Sequence, residues 1–378
     1  MRIGLVIYGA LDTLSGGYLY DRKLVAHLQA AGDSVEVFSI PWRNYARHLA
    51  DNLDRDWYAR LRRAEVDVLI QDELNHPSLW AINRRLRGQV RYPILSLVHH
   101  LRSDEVHAPA LAPLYRLVER RYLDSVEGWI LNSETTRRAV AHLLGRPDLS
   151  RCVVAYPAGD RFQPDLSVER IRERAGMPGP LRLIFVGNLI PRKGLHVLLD
   201  ALTRLPSGSW QLTVVGGTHI DPRYTRSIHA QIAHRKLEVR LTGVLRDAEL
   251  AQELAASHVM VVPSSYEGFG IVYLEGMSFG LPSIATTAGA AHEIIADGEN
   301  GYLVPPDDPA ALAARLDLLQ RDRARLVLMS ESARRRFLAA PRWEESMARI
   351  RTYLVEWTNP GDSSQGNKSE GYPKTLRV

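Results

Sequence analysis

Glu267-Gly268-Phe269-Gly270-Ile271-Val272-Tyr273-Leu274-Glu275 sets two carboxylates eight positions apart around a pair of glycines. The apolar run from His258 to Val262 reads as a strand ending in Pro263-Ser264-Ser265-Tyr266. Glu267 then falls in the loop, Gly268 and Gly270 open a helix, and Glu275 lies about two turns in on nearly the same face. Free N–H groups beside carboxylates suit a polyol, because a carboxylate accepts paired bonds from vicinal hydroxyls. Solvated surface glutamates are the alternative. Phe269, Ile271, Val272 and Leu274 argue for burial instead, where glutamates need partners.

Two further segments have the same strand-to-helix form. Leu183–Val186 runs into Gly187-Asn188-Leu189-Ile190-Pro191-Arg192-Lys193-Gly194 and then the periodic Leu195–Leu202. Arg192 and Lys193 at a helix mouth suit a diphosphate, one as a fork and one as a point charge, or form a solvated basic pair. Only five of the 48 basic residues are lysines, so Lys193 is not this chain's default cation. Near the amino terminus, Ser15-Gly16-Gly17-Tyr18 follows the first strand and enters a helix. Paired glycines there let backbone N–H groups approach an anion, or simply make a tight turn.

Other patterns are decoys. No G-x-G-x-x-G and no G-x-x-x-x-G-K-S/T occurs. Gly276-Met277-Ser278-Phe279-Gly280 spells a nucleophile elbow, but a helix precedes the serine and a strand follows, the reverse of what that turn requires. Asp54-Arg55-Asp56 lies in a polar helical stretch rather than after a strand. No H-E-x-x-H exists, and the adjacent His99 and His100 cannot chelate as an i, i+4 pair does, so no metal site is expected.

These residues need a scaffold of about two domains, given 378 residues. A composition of 45% apolar and 24% charged residues is that of a globular protein, and a net charge of +5 is too even for a nucleic-acid binder. Cys152 alone permits no internal disulfide, and no apolar run approaches the ~20 residues needed to span a bilayer. A cytoplasmic protein, with the option of resting on a membrane, is the expectation.

Short β-branched runs alternate with helical stretches, the pattern of parallel sheets with crossovers. Strand candidates are Arg2–Tyr8, Ser34–Ile40, Val66–Asp72, Pro93–His99, Glu127–Ser133 and Cys152–Pro157, then Arg182–Asn188, Trp210–Gly216, Val239–Val244, His258–Ser264, Pro282–Thr286 and Gly301–Val304. Gly159–Pro180 reads as the linker. The fold class expected is α/β, two facing Rossmann-like doubly wound domains with the site in the cleft. The domains run 1–165 and 166–340, followed by a helix over 341–358 that packs back on the first domain and a disordered tail over 359–378.

Taken together, Gly16-Gly17, Tyr156-Pro157-Ala158-Gly159-Asp160, the Gly187–Gly194 segment, Glu267 with Glu275, and Asp297-Gly298-Glu299-Asn300-Gly301 resemble the retaining nucleotide-sugar glycosyltransferases of family four, which have the GT-B fold. The likeness is dense from Leu181 to Asp308 and looser in the amino half. It implies a metal-independent, retaining transfer of a sugar from a nucleoside diphosphate to an acceptor hydroxyl on a glycan or lipid. The donor is a substrate, and no cofactor is implied. Arg192, Lys193 and Gly17 N–H (with Gly16) fall on the diphosphate, Glu267 near the sugar hydroxyls and Glu275 on the ribose. Gly268, Phe269, Gly270, Ile271 and Val272 complete the donor contacts. The resemblance also implies a functional histidine after strand Ile94–Val98, with His99 preferred to His100. A non-catalytic nucleotide-sugar binder and a phosphorylase or epimerase on the same fold stay open.

Gln71-Asp72-Glu73-Leu74-Asn75-His76 ends another strand, where it would be able to touch an acceptor. Leu111–Tyr122 puts Leu111, Leu114, Tyr115, Val118 and Tyr122 on one stripe among Arg116, Arg120 and Arg121. With Arg84, Arg85, Arg87 and Arg91, it reads either as a crossover helix or as a peripheral contact with an anionic membrane, at its inner face.

Overall fold

A computed structural model describes residues 1–13, 15–105 and 110–358. It divides into two compact units, Met1–Pro157 with the segment from Pro341 onward, and Ala158–Ala340. The division falls at Pro157, eight residues before the expected one, and the expected tail over 359–378 lies outside the described residues.

Each unit is built on a six-stranded parallel sheet. In the first, β1 (Arg2–Tyr8), β2 (Ser34–Ile40), β3 (Val68–Asp72), β4 (Ile94–Val98), β5 (Gly128–Leu131) and β6 (Cys152–Val154) lie in the order β2-β1-β3-β4-β5-β6. In the second, β7 (Leu181–Val186), β8 (Trp210–Val215), β9 (Val239–Gly243), β10 (Val259–Val261), β11 (Ser283–Thr286) and β12 (Gly301–Val304) lie in the order β12-β11-β10-β7-β8-β9. Central strands β3, β4, β10 and β11 are buried at every residue, because helices cover both faces; hence their unbroken apolar runs. The edge strand β2 alternates instead.

Strand order reverses once in each sheet, between β1 and β3 and between β7 and β10. At such a switch point the two crossovers leave in opposite directions and open a crevice beyond the strand ends. The loops after β1 and β3, and those after β7 and β10, are therefore brought together.

The expected linker holds a helix, Val168–Gly176, capped by Ser167. Ile171 and Ala175 are buried against the helix Arg323–Leu338, and Arg174 donates to Gly280 O at 3.0 Å. One buried pair per two turns is too little apolar period to stand out in sequence. The helix Trp343–Thr358 belongs to the first unit and packs on the helix Gly16–Ala30. There Arg351 Nε donates to Asp33 Oδ2 at 2.7 Å, and Trp343 meets the edge of Tyr20.

Candidate functional site

In the second unit the loops after β7 and β10 interlock through their backbones. Ser265 N donates to Arg192 O at 2.8 Å, and the Arg192 guanidinium donates to Tyr266 O at 2.9 Å. Lys193 Nζ then meets Glu267 Oε1 at 2.5 Å, Ser264 Oγ donates to the same oxygen at 2.6 Å, and Arg192 lies 3.8 Å from Oε2. Burial disfavours the Glu267 carboxylate, but Lys193 and Arg192 outweigh it and hold its pKa down to about 2. Lys193 is also lowered, by burial first and by the neighbouring Arg192 as well. The causes differ: the two cations depress Glu267, whereas burial depresses Lys193 against the pull of Glu267.

Gly270 adopts φ +98°, and a Cβ there would lie 2.4 Å from the Tyr273 ring. This left-handed residue caps the helix Ile271–Ser278, so helical register does not extend back to Glu267. Glu267 and Glu275 are consequently not on one helical face, contrary to the spacing argument. Glu275 is buried beside Arg161, whose guanidinium lies 3.6 Å away and also pairs with Asp247. Burial raises the Glu275 pKa against the pull of Arg161. Phe269 is buried, while Gly268, Ile271 and Val272 are half-buried. Ser264 and Arg161 escaped sequence reasoning, Ser264 because serines are common in loops, and Arg161 because it stood at the start of the presumed linker.

In the first unit Gly16 and Gly17 begin the helix Gly16–Ala30, with Ser15 Oγ accepting from Tyr18 N at 3.3 Å. A Cβ on Gly17 would come within 3.1 Å of His99 Cδ2, so any larger residue would press on the imidazole. His99 Nε2 lies 3.3 Å from Asp21 Oδ1, Asn132 Nδ2 donates to His99 O at 2.7 Å, and Tyr20 meets the imidazole edge-on. The His99 side chain keeps 15% exposure, enough for one edge to meet a ligand. Burial would lower its pKa; the hydrogen bond and charge of Asp21, with Asp72 and Glu73, raise it overall. His100 turns instead to Glu105 at 2.9 Å.

Asp21, Asp72 and His99 bring three potential ligand atoms within 4.8 Å of one another, and so do Glu73, His76 and Glu119. Sequence gave no hint of either set, since each is drawn from separate elements. In the first set His99 bonds Asp21 at 3.3 Å, and burial, with the charge of Asp21, pushes the Asp72 carboxyl up to about 7. In the second, Glu73 and Glu119 hydrogen-bond each other, and burial pushes both carboxyl groups up. His76, held neutral by burial at about 4, bonds Tyr45 OH at 3.1 Å. Gln71 pairs with Asn83 through both amide bonds at 2.9 Å, and Asn75 Nδ2 donates to Val6 O at 3.3 Å. The segment expected to touch an acceptor therefore points inward, with only Leu74 partly exposed.

A carboxyl group whose folded pKa lies above its unfolded value confers stability below the usual carboxylate range and loses it as pH rises through the raised value. Glu73→Gln keeps a donor for Glu119 but removes one titration. It is expected to flatten the fall in Tm between about pH 4.5 and pH 8, with Glu119 and Asp72 still contributing a residual slope. Melts of both proteins across that range check this, and identical slopes would rule it out.

The decoys resolve as structure. Ser278 is buried at the end of its helix and donates to Glu275 O at 2.7 Å, and Asp54 caps the helix Arg55–Arg62.

Residues 180–322 match the family described as Glycosyl transferases group 1. The D-inositol 3-phosphate glycosyltransferase of Xylanimonas cellulosilytica is 34% identical over 216 residues, which is 53% of this chain and half the length of that relative. The phosphatidyl-myo-inositol mannosyltransferase of Mycobacterium leprae is 29% identical over 89% of this chain and 93% of its own. Among solved structures, sucrose-phosphate synthase from Thermosynechococcus elongatus superposes with a TM-score of 0.78 at 23% identity, covering 95% of this chain and 100% of that one. Anabaena HepE in complex with UDP gives 0.72 at 21%, covering 94% and 100%. The two parallel sheets are thus those of the GT-B glycosyltransferases. The match to group 1 glycosyl transferases lies over residues 180–322, and the relatives similar to this chain are named as glycosyltransferases.

Proposed function

We propose that this enzyme moves a sugar from a nucleoside diphosphate to an acceptor hydroxyl, with retention of configuration and without a metal ion. The observation that carries this reading is the pairing of Lys193 and Arg192 with a buried, ionised Glu267 at the switch point of the second sheet. A donor diphosphate competes for the two cations and frees Glu267 to accept from sugar hydroxyls. Glu275, beside Arg161, takes the ribose hydroxyls, and the backbone from Gly268 to Val272 completes the donor contacts. In the first unit the Gly17 N–H and His99, with its raised pKa, supply further positive ends toward the donor.

As the bond from the anomeric carbon to the diphosphate oxygen breaks, charge gathers on that oxygen, and Lys193 and Arg192 stabilise it in the place a divalent metal takes in other transferases. The acceptor oxygen attacks on the same face and yields its proton to the departing phosphate. HepE, solved with UDP and with UDP-glucose, shares the fold, which supports a nucleotide sugar as donor.

The test is release of nucleoside diphosphate from UDP-, GDP- and ADP-sugars in excess EDTA, with and without acceptor glycans and lipids. Acceptor-dependent release unaffected by EDTA is expected. Complete loss in EDTA, restored by manganese or magnesium, would count against the metal-free reading, and release without an acceptor would favour another reaction.

A further inference from the structure

The stripe Leu111, Leu114, Tyr115, Val118 and Tyr122, open to either a packed or a membrane-facing reading, lies along the helix Ala112–Leu123 and is buried only in part. Tyr115, Val118, Tyr122 and Leu123 are buried, whereas Leu111, Leu114 and Leu117 are 45%, 40% and 48% exposed. Their i, i+3, i+6 spacing makes one ridge along the outer face. The other exposed large apolar residues, such as Trp42, Ile220 and Leu328, stand apart in sequence.

The ridge is flanked by positive charge. Arg116, Arg120 and Arg121 are exposed on the same helix. The helix His76–Leu86 packs beside it, with Arg121 over the Trp80 ring and Arg87 donating to Asp124 O at 3.1 Å. That neighbour and the turn after it expose Arg84, Arg85, Arg87 and Arg91. Acidic groups offset this only in part: Asp104 is exposed at the edge of the face, and Glu105 turns to His100. Glu119 is buried and accepts from Arg102 N at 2.7 Å, and Asp124 is paired with Arg146. A groove of about 350 Å³ beside the ridge is lined by Arg116, Arg120, His142, Leu117, Leu143 and Asp104, among others.

We propose that this face docks on an anionic lipid surface. The leucine ridge enters the boundary between headgroups and acyl chains, and the arginines meet lipid phosphates. An apolar row with a basic flank is the arrangement by which a helix lies in a membrane interface. Among the described residues no helix is long and apolar enough to cross a membrane. A second copy of the chain is a poor occupant, since a two-fold contact would set arginine against arginine. A soluble anion would use the arginines and leave the leucines without purpose. The docking does not depend on the transfer chemistry, and its test requires no turnover.

The test is co-sedimentation of the full chain with vesicles of phosphatidylcholine alone or mixed with phosphatidylglycerol, at low and high salt. Each arginine near an anionic surface changes partition by about fivefold. Arg116→Glu with Arg120→Glu should therefore weaken binding to anionic vesicles by about tenfold or more, while Arg223→Glu with Arg226→Glu in the second unit should not. Leu114→Ser with Leu117→Ser, at exposed positions where folding is preserved, should reduce the binding that survives high salt. Equal binding to both vesicle types at low salt would overturn the proposal, as would binding indifferent to the Arg116/Arg120 and Leu114/Leu117 pairs. Self-association lost in the leucine variant, with vesicles ignored, would assign the ridge to a second copy and overturn it too.

Discussion

Lys193→Ala is expected to lower kcat/KM by about 10²-fold or more, the loss that follows removal of one electrostatic donor from a developing anion. Most of the effect should fall on kcat, because the contact strengthens as charge builds on the leaving oxygen. Breaking a buried ion pair also destabilises, typically by ~3–5 kcal/mol when a charge is left without compensation. Here Ser264 still donates to Glu267 at 2.6 Å and Arg192 remains at 3.8 Å, so the variant should stay folded with a reduced Tm. Steady-state kinetics with a thermal melt check both parts. A folded variant with undiminished turnover would remove Lys193 from the mechanism.

Asp21→Asn tests the first unit. Asp21 is fully buried, its Oδ1 faces His99 Nε2 at 3.3 Å, and its Oδ2 has no hydrogen-bond partner. It acts as a positioning residue: it fixes the imidazole orientation and favours the charged form. With Asp21 neutral, burial of His99 is opposed by Asp72 and Glu73 without the Asp21 hydrogen bond and charge, so its pKa should fall. The alkaline limb of the rate profile should move to lower pH, with kcat/KM at neutral pH reduced by about 10-fold to 10²-fold. Stability follows the same sign. Since the folded pKa is raised, the His99 contribution is complete below the ordinary histidine range and is lost as pH rises through the folded value. An NMR titration of His99 in both proteins decides the matter, because a purely structural role for Asp21 would leave the imidazole pKa in place.

What the sequence reveals depends on how local the physics is. Strands β3, β4, β10 and β11 were legible because covering both sheet faces demands unbroken apolar runs, and the helix Leu195–Leu202 because its period is complete. Helices Tyr45–Asp51, Arg55–Arg62 and Val168–Gly176 were not counted, since each buries too few apolar residues to show a stripe. At the site, the segments were found but their partners were not. Lys193 and Glu267 are 74 positions apart, and only the β7–β10 adjacency joins them. Asp21 lay within a helix that looked like ordinary crossover, and its meaning depends on β4 delivering His99 to the same place. Spacing put Leu111 and Leu114 on one stripe with Tyr115, Val118 and Tyr122, whereas the structure turns the last three inward and leaves the leucines outside.

The central claim is that Lys193 and Arg192 form a metal-free diphosphate site. Calorimetric titration of UDP, GDP and ADP in EDTA, into the wild type and into Arg192→Ala with Lys193→Ala, tests it most directly. The account predicts saturable one-to-one binding of at least one nucleotide by the wild type, weakened by about tenfold or more in the double variant. Affinity unchanged in the double variant, or no nucleotide bound until a divalent metal is added, would contradict it.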